Sequence, residues 1–436
     1  MSWFDDVAVR FLTRRRPGRM LTMLASTPIP IVRPGRFADQ RPDIHDATES
    51  PSSLVDVVEP RAVEPWGELE GDVVIKDQID VRGMRTGVGL ADGGAVATQD
   101  ADVVTRIIAA GGRIIGKTKM TELGMDGIGS LMHYPMPRNP RAPAYVPGGS
   151  STGTAVAVAS GLARYGVGGD GLGSIRIPAA FCGLYGLRPT RTKLPRGGIQ
   201  SPVRSLDSIG PMTRTAADCA RLWQVMAGEP IAELSPWMPA RVGVPVFAEP
   251  LRVAHSVGAA FVRVLTTMGI QIEQVELPGF ERATFLGGMI GAHELSTGPF
   301  ASRTTTRAGR MSLALGGSFS PDDFARLERQ RADLRSASLR LLERMPILAM
   351  PTTAIPPPAI SRALLQGGAN VLLLRALGAF TPLANLVDLP AIAVPCGVDD
   401  RDRPLSIMFV AAPGHEADLL RIAHAVEQTG LATQPV

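Results

Sequence analysis

Apolar positions along the chain repeat in two ways, and each switch between them marks an element. Short apolar or β-branched runs predict strands at 73–75, 113–115, 165–168, 241–244, 270–275, 347–350, 391–394 and 407–411. Between them, apolar residues spaced three and four apart predict helices at 99–110, 215–226, about 251–268 and about 414–428. A charged helix is expected after Pro321, through Arg344. Thr98 or Asp100 is the expected N-cap of the 99–110 helix, and Gly111-Gly112 its stop. Residues 152–163 read as a helix of small residues that begins at a Gly/Ser turn. Strands alternating with helices predict an α/β fold.

The pattern is uneven along the chain. Residues 1–65 carry many Pro, Arg and Asp and little periodicity, and read as an N-terminal arm lying over the rest. Residues 66–230 hold the glycine- and serine-rich signals and read as the catalytic core. Residues 231–345 lack them and read as a helical insert covering a pocket. Residues 346–436 return to core strands. No internal repeat is visible, and the expectation is a single domain over 1–436.

Composition changes this picture little. The chain has 436 residues, 45% apolar and 20% charged, which describes an ordinary folded protein. Its formal net charge of +4 is small for this length, and no arginine stripe with interleaved aromatics points to nucleic acid. Lysine is rare: Lys76, Lys117, Lys119 and Lys193 are the only four, so each merits its own reading. Three scattered cysteines give neither a disulfide framework nor metal spacing and favour a reducing, cytoplasmic compartment. Arg14-Arg15-Arg16 resembles an export signal, but Pro17, Arg19, Pro28 and Pro30 break the weak apolar run after it. No run approaches the roughly 20 apolar residues of a membrane span.

Three motif matches fail on their context. Residues 111–118 fit GxxxxGK[ST], yet a phosphate loop follows a strand and opens a helix, whereas here a helix precedes and 113–115 is itself strand-like. Residues 166–171 fit GxGxxG, but no clean helix follows and Pro178 interrupts. Residues 149–153 fit GxSxG, but the stretch before them is broken by Pro143 and Pro147, where an apolar strand is required. That motif would also need a late histidine, for which His415 and His424 are the candidates. No histidine pair has metal spacing.

With histidine weak, a serine nucleophile needs another base. A lysine can serve if burial lowers its pKa from about 10.4 toward about 7–8. Lys76 closes an apolar strand, which suits burial; an ion pair with Asp77 is its plain structural reading. Lys117 also follows an apolar run, but Lys119 two residues on suggests a shared wet face. Met120, Met125, Met132 and Met136 cluster before the serine turn and read as core or as an adaptable apolar pocket.

Lys76-Asp77, Pro147-Gly148-Gly149-Ser150-Ser151 and Asp170-Gly171-Leu172-Gly173-Ser174-Ile175-Arg176-Ile177-Pro178 together resemble the three landmarks of the amidase signature family. Residues 116–122, 138–140, 186–190, 206–211 and 389–395 resemble its flanking core, so the similarity spans about 66–230 and 346–430. The resemblance implies an α/β/α sandwich with a mixed central sheet. It implies hydrolysis of a linear carboxamide through an acyl-enzyme. Ser174 would be the nucleophile, Ser150 (after a cis peptide bond) the proton relay and Lys76 the base. The backbone N–H groups of Gly171, Leu172, Gly173 and Ser174 would form the oxyanion hole. Ser151 and Asp170 would hold the turn, Arg176 would anchor the loop, and Met125 and Gly149 would line the substrate pocket. No metal or organic cofactor is implied, and the partner is a small amide, with a homodimer left open. Leu172 stands where the family has glycine or alanine, which suggests a tighter or shifted loop. Two other readings keep the fold: an amidotransferase A-type subunit working with a tRNA-binding partner, and an inactive scaffold.

Overall fold

The computed structural model describes residues 53–57, 67, 69–130, 132–230, 232–246, 253–365 and 371–431. Most of the expected arm, Arg14-Arg15-Arg16 included, lies outside the described residues. In chain order the strands are β1 (Leu54–Val57), β2 (Gly71–Lys76), β3 (Arg85–Thr86), β4 (Ala95–Val96), β5 (Gly112–Thr118), β6 (Tyr165–Asp170) and β7 (Tyr185–Arg188). They continue with β8 (Ser208–Thr213), β9 (Arg241–Pro245), β10 (Gln271–Val275), β11 (Ile347–Pro351), β12 (Ala391–Val398) and β13 (Pro404–Ala411).

Eleven of them form one sheet in the order β1-β5-β2-β6-β8-β7-β12-β13-β11-β9-β10, while β3 and β4 pair separately. Pairing is parallel through β5-β2-β6 and through β11-β9-β10, and antiparallel elsewhere, so the sheet is mixed as expected.

The central strands are apolar on both sides because both sides are covered, and their side chains alternate between two cores. Val73 and Ile75 of β2, Ile392 and Val394 of β12, and Ile407 and Phe409 of β13 face one core. The helices Asp102–Ala109, Ala216–Ala227, His255–Thr267 and Glu416–Gln428 cover that side. Val74 and Ala393 face the other way, against the helices Thr152–Ala159 and Arg176–Cys182. Met408 and Val410 also face that way, into a core built with the helices Ala283–Thr297, Pro321–Arg344 and Pro382–Val387. The result is helix, sheet and helix in three layers.

Two expectations about organisation change. The insert is not only a cover, because β9 and β10 extend the central sheet at its far edge. Residues 54–57 of the arm pair antiparallel with β5 and close the opposite edge, rather than lying over the fold. The first helix starts later than predicted, at Asp102, with Ala101 in the N-cap position and no side-chain cap. Asp100 instead accepts the Arg82 N–H at 2.7 Å. Thr215 does cap its helix, accepting from the Asp218 N–H. No helix among the described residues is long and apolar enough to cross a membrane.

Candidate active site

Lys76 is the last residue of β2, so alternation sends its side chain to the same face as Val74, toward the helix Thr152–Ala159. That helix, TGTAVAVA, is buried throughout, and its small side chains let it lie close on the sheet. A Cβ at Gly166 of β6 would come within 2.6 Å of Thr154, so the close approach needs glycine there. The turn opening this helix carries Ser150, and Gly149–Ser150 is a cis peptide bond. Lys76 Nζ donates to Ser150 Oγ at 2.8 Å and to the Gly169 carbonyl at 3.0 Å. Burial pushes the Lys76 ammonium down to about 8, against the opposing pull of Asp207 and Asp170. Asp207 is held at the site by Gln78, whose Nε2 donates to it at 2.7 Å.

Ser151 ties the serine turn to the next landmark. Its Oγ donates to the Gly169 carbonyl at 3.1 Å, the same oxygen that Lys76 uses, and its N–H donates to the Ser174 carbonyl at 3.2 Å. Gly149 N–H donates to the Gly127 carbonyl at 2.9 Å. Ser174, buried, ends the loop after β6, just before the helix Arg176–Cys182.

The loop is organised by the Asp170 carboxylate. It accepts the N–H groups of Gly173 at 2.6 Å and Ile175 at 3.1 Å, and both Nε (3.0 Å) and Nη2 (2.9 Å) of Arg176. Both side chains are wholly buried, so the two-point pairing does what a single contact could not: it satisfies both charges away from water. Burial works to raise the Asp170 carboxyl, but Arg176, Asn385 and Arg188 together hold it well below the usual carboxylate range. Arg176 also donates through Nη1 to the Thr381 carbonyl (2.9 Å) and through Nη2 to Asn385 Oδ1 (2.7 Å).

Several expected placements are corrected. Gly173 N–H is already engaged by Asp170, so it is not a free donor for an oxyanion; those of Gly171, Leu172 and Ser174 remain the candidates. Leu172 packs on the insert, where a Cβ at Gly287 would come within 2.6 Å of it. Lys117 is not on a wet face. It is fully buried, donating to Thr86 Oγ1 at 3.0 Å, and it rather than Lys76 pairs with Asp77, at 3.7 Å. The Asp77 carboxylate also accepts the N–H groups of Gly87 and Gly89. Lys117→Met would leave this acid buried without its counter-charge and is expected to cost about 3 kcal/mol. Urea unfolding of the variant measures it; a loss under ~0.5 kcal/mol, the ordinary scatter of surface changes, would rule out a structural role for the pair.

The methionines divide. Met120 and Met125 join an apolar cluster with Leu123, Leu295 and Phe300, and Met136 packs in another with Ile128 and Phe181. His415 and His424 pair with Asp418 and Glu427 on the C-terminal helix, which covers the opposite face of the sheet from Ser150. Residues 112–118 are β5 and residues 165–170 are β6, which removes both nucleotide-loop readings. Among the described residues, no group of His, Cys, Asp or Glu is placed to hold a metal.

Sequence reasoning missed three residues at the site. Asn385 donates to the Asp170 carbonyl at 2.7 Å and to its carboxylate at 3.0 Å. Thr381 donates to the Leu172 carbonyl at 2.8 Å. Glu122, buried, accepts the Thr305 N–H at 2.8 Å and pairs with His133 at 3.0 Å, which joins the turn after β5 to the insert. The available signal for Thr381 and Asn385 was two polar residues four apart in the otherwise apolar run 379–387.

The amidase family model matches residues 72–420. A fatty acid amide hydrolase of Oryza sativa subsp. indica is 30% identical over 366 residues, covering 76% of this chain but only 59% of the rice protein's length. AmiB2 of Mycobacterium bovis is 31% identical over 379 residues, covering 81% of this chain and 80% of its own. Among solved structures, the A-type subunit of the glutamyl-tRNA(Gln) amidotransferase of Thermotoga maritima superposes with a TM-score of 0.74 at 26% identity, covering 86% of this chain and 87% of that one.

Proposed function

Because this chain belongs to the amidase signature family, we propose that it hydrolyses a linear carboxamide to a carboxylate and ammonia or an amine. The observation that carries the reading is the buried Lys76 donating to Ser150, on a turn tied to Ser174 through Ser151. In this mechanism Ser174 Oγ attacks the amide carbon while its proton passes to Ser150 Oγ, whose own proton moves to the neutral Lys76 amine. The tetrahedral oxyanion is held by N–H groups of Gly171, Leu172 and Ser174. Collapse breaks the C–N bond, and the proton held at Lys76 returns through Ser150 to the leaving nitrogen. Water then repeats the sequence on the acyl-enzyme and frees Ser174. No step calls on a metal or an organic cofactor.

The substrate pocket falls to the groups near the turn. In this reading Met125 and Gly149 would line it; Met125 packs with Met120 and Leu123. A panel of linear amides, assayed for released ammonia or amine, tests the activity; a fluorophosphonate followed by peptide mapping tests the nucleophile. Amide turnover and a label on Ser174 are expected. A label on another residue, or turnover that persists after complete labelling, overturns this reading. The likeness to the Thermotoga protein supports a second reading, in which the chain frees ammonia for a tRNA-dependent partner. Stable co-purification with a second chain, and transfer rather than release of ammonia, would favour it.

A further inference from the structure

The loop Asp170–Ser174 is gripped from a part of the chain about 210 residues away. The helix Pro382–Val387 places Thr381 at its start and Asn385 four residues on, so both side chains share one face. Asn385 Nδ2 donates to the Asp170 carbonyl at 2.7 Å, and Thr381 Oγ1 donates to the Leu172 carbonyl at 2.8 Å. The two gripped carbonyls are themselves two residues apart, so the spacing of donors on the helix matches the spacing of acceptors on the loop.

A peptide unit is planar and trans, so its N–H points opposite to its C=O. Drawing the Asp170 carbonyl toward Asn385 turns the Gly171 N–H away from that helix. Drawing the Leu172 carbonyl toward Thr381 turns the Gly173 N–H the other way, where the Asp170 carboxylate takes it at 2.6 Å. The Leu172–Gly173 peptide is therefore held at both polar ends. Gly173 permits this because its φ of +122° excludes other residues, and a Cβ there would come within 2.8 Å of the Thr381 Cβ. Thr381 is wholly buried, and its own carbonyl accepts from Arg176, so it is fixed before it fixes the loop.

We propose that Thr381 is a positioning residue for the reaction: its hydroxyl sets the plane of the Leu172–Gly173 peptide and thereby aims the neighbouring N–H groups of Leu172 and Ser174 at the oxyanion. The proposal rests on Ser174 being the nucleophile. It requires that losing the hydroxyl weakens the transition state and leaves ground-state binding alone.

The test compares Thr381→Val, Thr381→Ala and Thr381→Ser with the wild type, by steady-state kinetics on the best amide and by the rate of fluorophosphonate labelling. Misaiming donors by a fraction of an ångström is expected to lower kcat and the labelling rate about 10- to 100-fold, with KM within about twofold. Thr381→Ser, which keeps the hydroxyl, is expected to recover to within about threefold of wild type. Thermal melting identifies any variant that fails to fold, and Ala, which adds no bulk, stands in if Val does. Val and Ala variants that match wild type in both rates overturn the clamp. So does a Ser variant as slow as Ala, since the hydroxyl would then not be what matters. A wild type that never labels at Ser174 overturns the nucleophile assignment and the clamp with it.

Discussion

Lys76→Met is expected to abolish turnover while leaving the protein at least nearly as stable as wild type. The reasoning starts from the cost of a buried amine. Its pKa falls from 10.5 to about 8 on folding, so at pH 7 burial of the cation costs about 3 kcal/mol. Methionine is similar in length and carries no charge, so it removes that cost. It removes one donor to the Gly169 carbonyl while Ser151 still donates to it, a loss of about 1 kcal/mol. The sign of the pH dependence follows. The unfolded chain holds the Lys76 proton up to pH 10.5 and the folded chain only to about 8, so wild-type stability gains a contribution as pH rises through that window. Lys76→Met loses this slope, which urea unfolding at pH 7.5, 9 and 10 would measure.

Activity follows the neutral amine. With a pKa near 8, about a tenth of the enzyme carries the free base at pH 7, so kcat/KM should rise almost tenfold per pH unit below about 7, about fivefold from 7 to 8, and level off above that. Removing the base is expected to cost about 10⁴-fold in kcat, as removal of one member of an interdependent set does. A Lys76→Met enzyme retaining a tenth of wild-type turnover, or an activity flat from pH 6 to 9, would defeat the mechanism.

Arg176→Ala should damage folding more than any other single change at the site. It leaves Asp170 fully buried without its paired cation, with hydrogen bonds from the loop and Asn385 and only the more distant charge of Arg188 in support, a situation that costs about 3–5 kcal/mol when one partner of a buried pair is removed. The loss should itself depend on pH. In the wild type Arg176 holds the Asp170 carboxyl below its ordinary 3.8, so the pair contributes fully above that pH and loses its contribution in stronger acid. Without Arg176, burial is opposed only by Arg188 and the neutral donors, and the carboxyl is expected to rise above its ordinary value. The variant then loses stability as pH climbs from about 4, so its deficit against wild type should be smaller at pH 4 than at pH 7. Chemical unfolding at both pH values decides it. A constant deficit would mean that shape, not charge, is what Arg176 provides.

Strand and helix placement was largely legible because the repeats are strong. The charged helix expected after Pro321 and through Arg344 is found at 321–344, and the structure shows why it starts there: Ser320 caps it, Pro321 opens it and acids occupy its first turn. Lys76 stood out for a different reason, as one of four lysines and the end of an apolar strand, and Ser150 as part of a glycine-rich stretch that resembles a family landmark. The misreadings share one cause. Lys117 looked exposed because Lys119 follows it, but the segment 85–89 folds back over β5 and supplies Thr86, while Asp77 supplies the counter-charge. Nothing local to Lys117 records those partners. Leu172 looked like a distortion of the loop because its partner, Gly287, lies in an insert with no motif.

The sequence by itself determined most of the elements and the α/β class, because backbone preference is a local property, and its resemblance to a family marked a lysine and two serines as the candidates for acyl transfer. Only the tertiary structure decided which charges meet. It paired Asp77 with Lys117 and so left Lys76 for Ser150, and it brought Thr381 and Asn385 onto a loop two hundred residues distant. Burial and partner choice set whether a lysine is a structural cation or a base, and both depend on chain segments that meet only after folding.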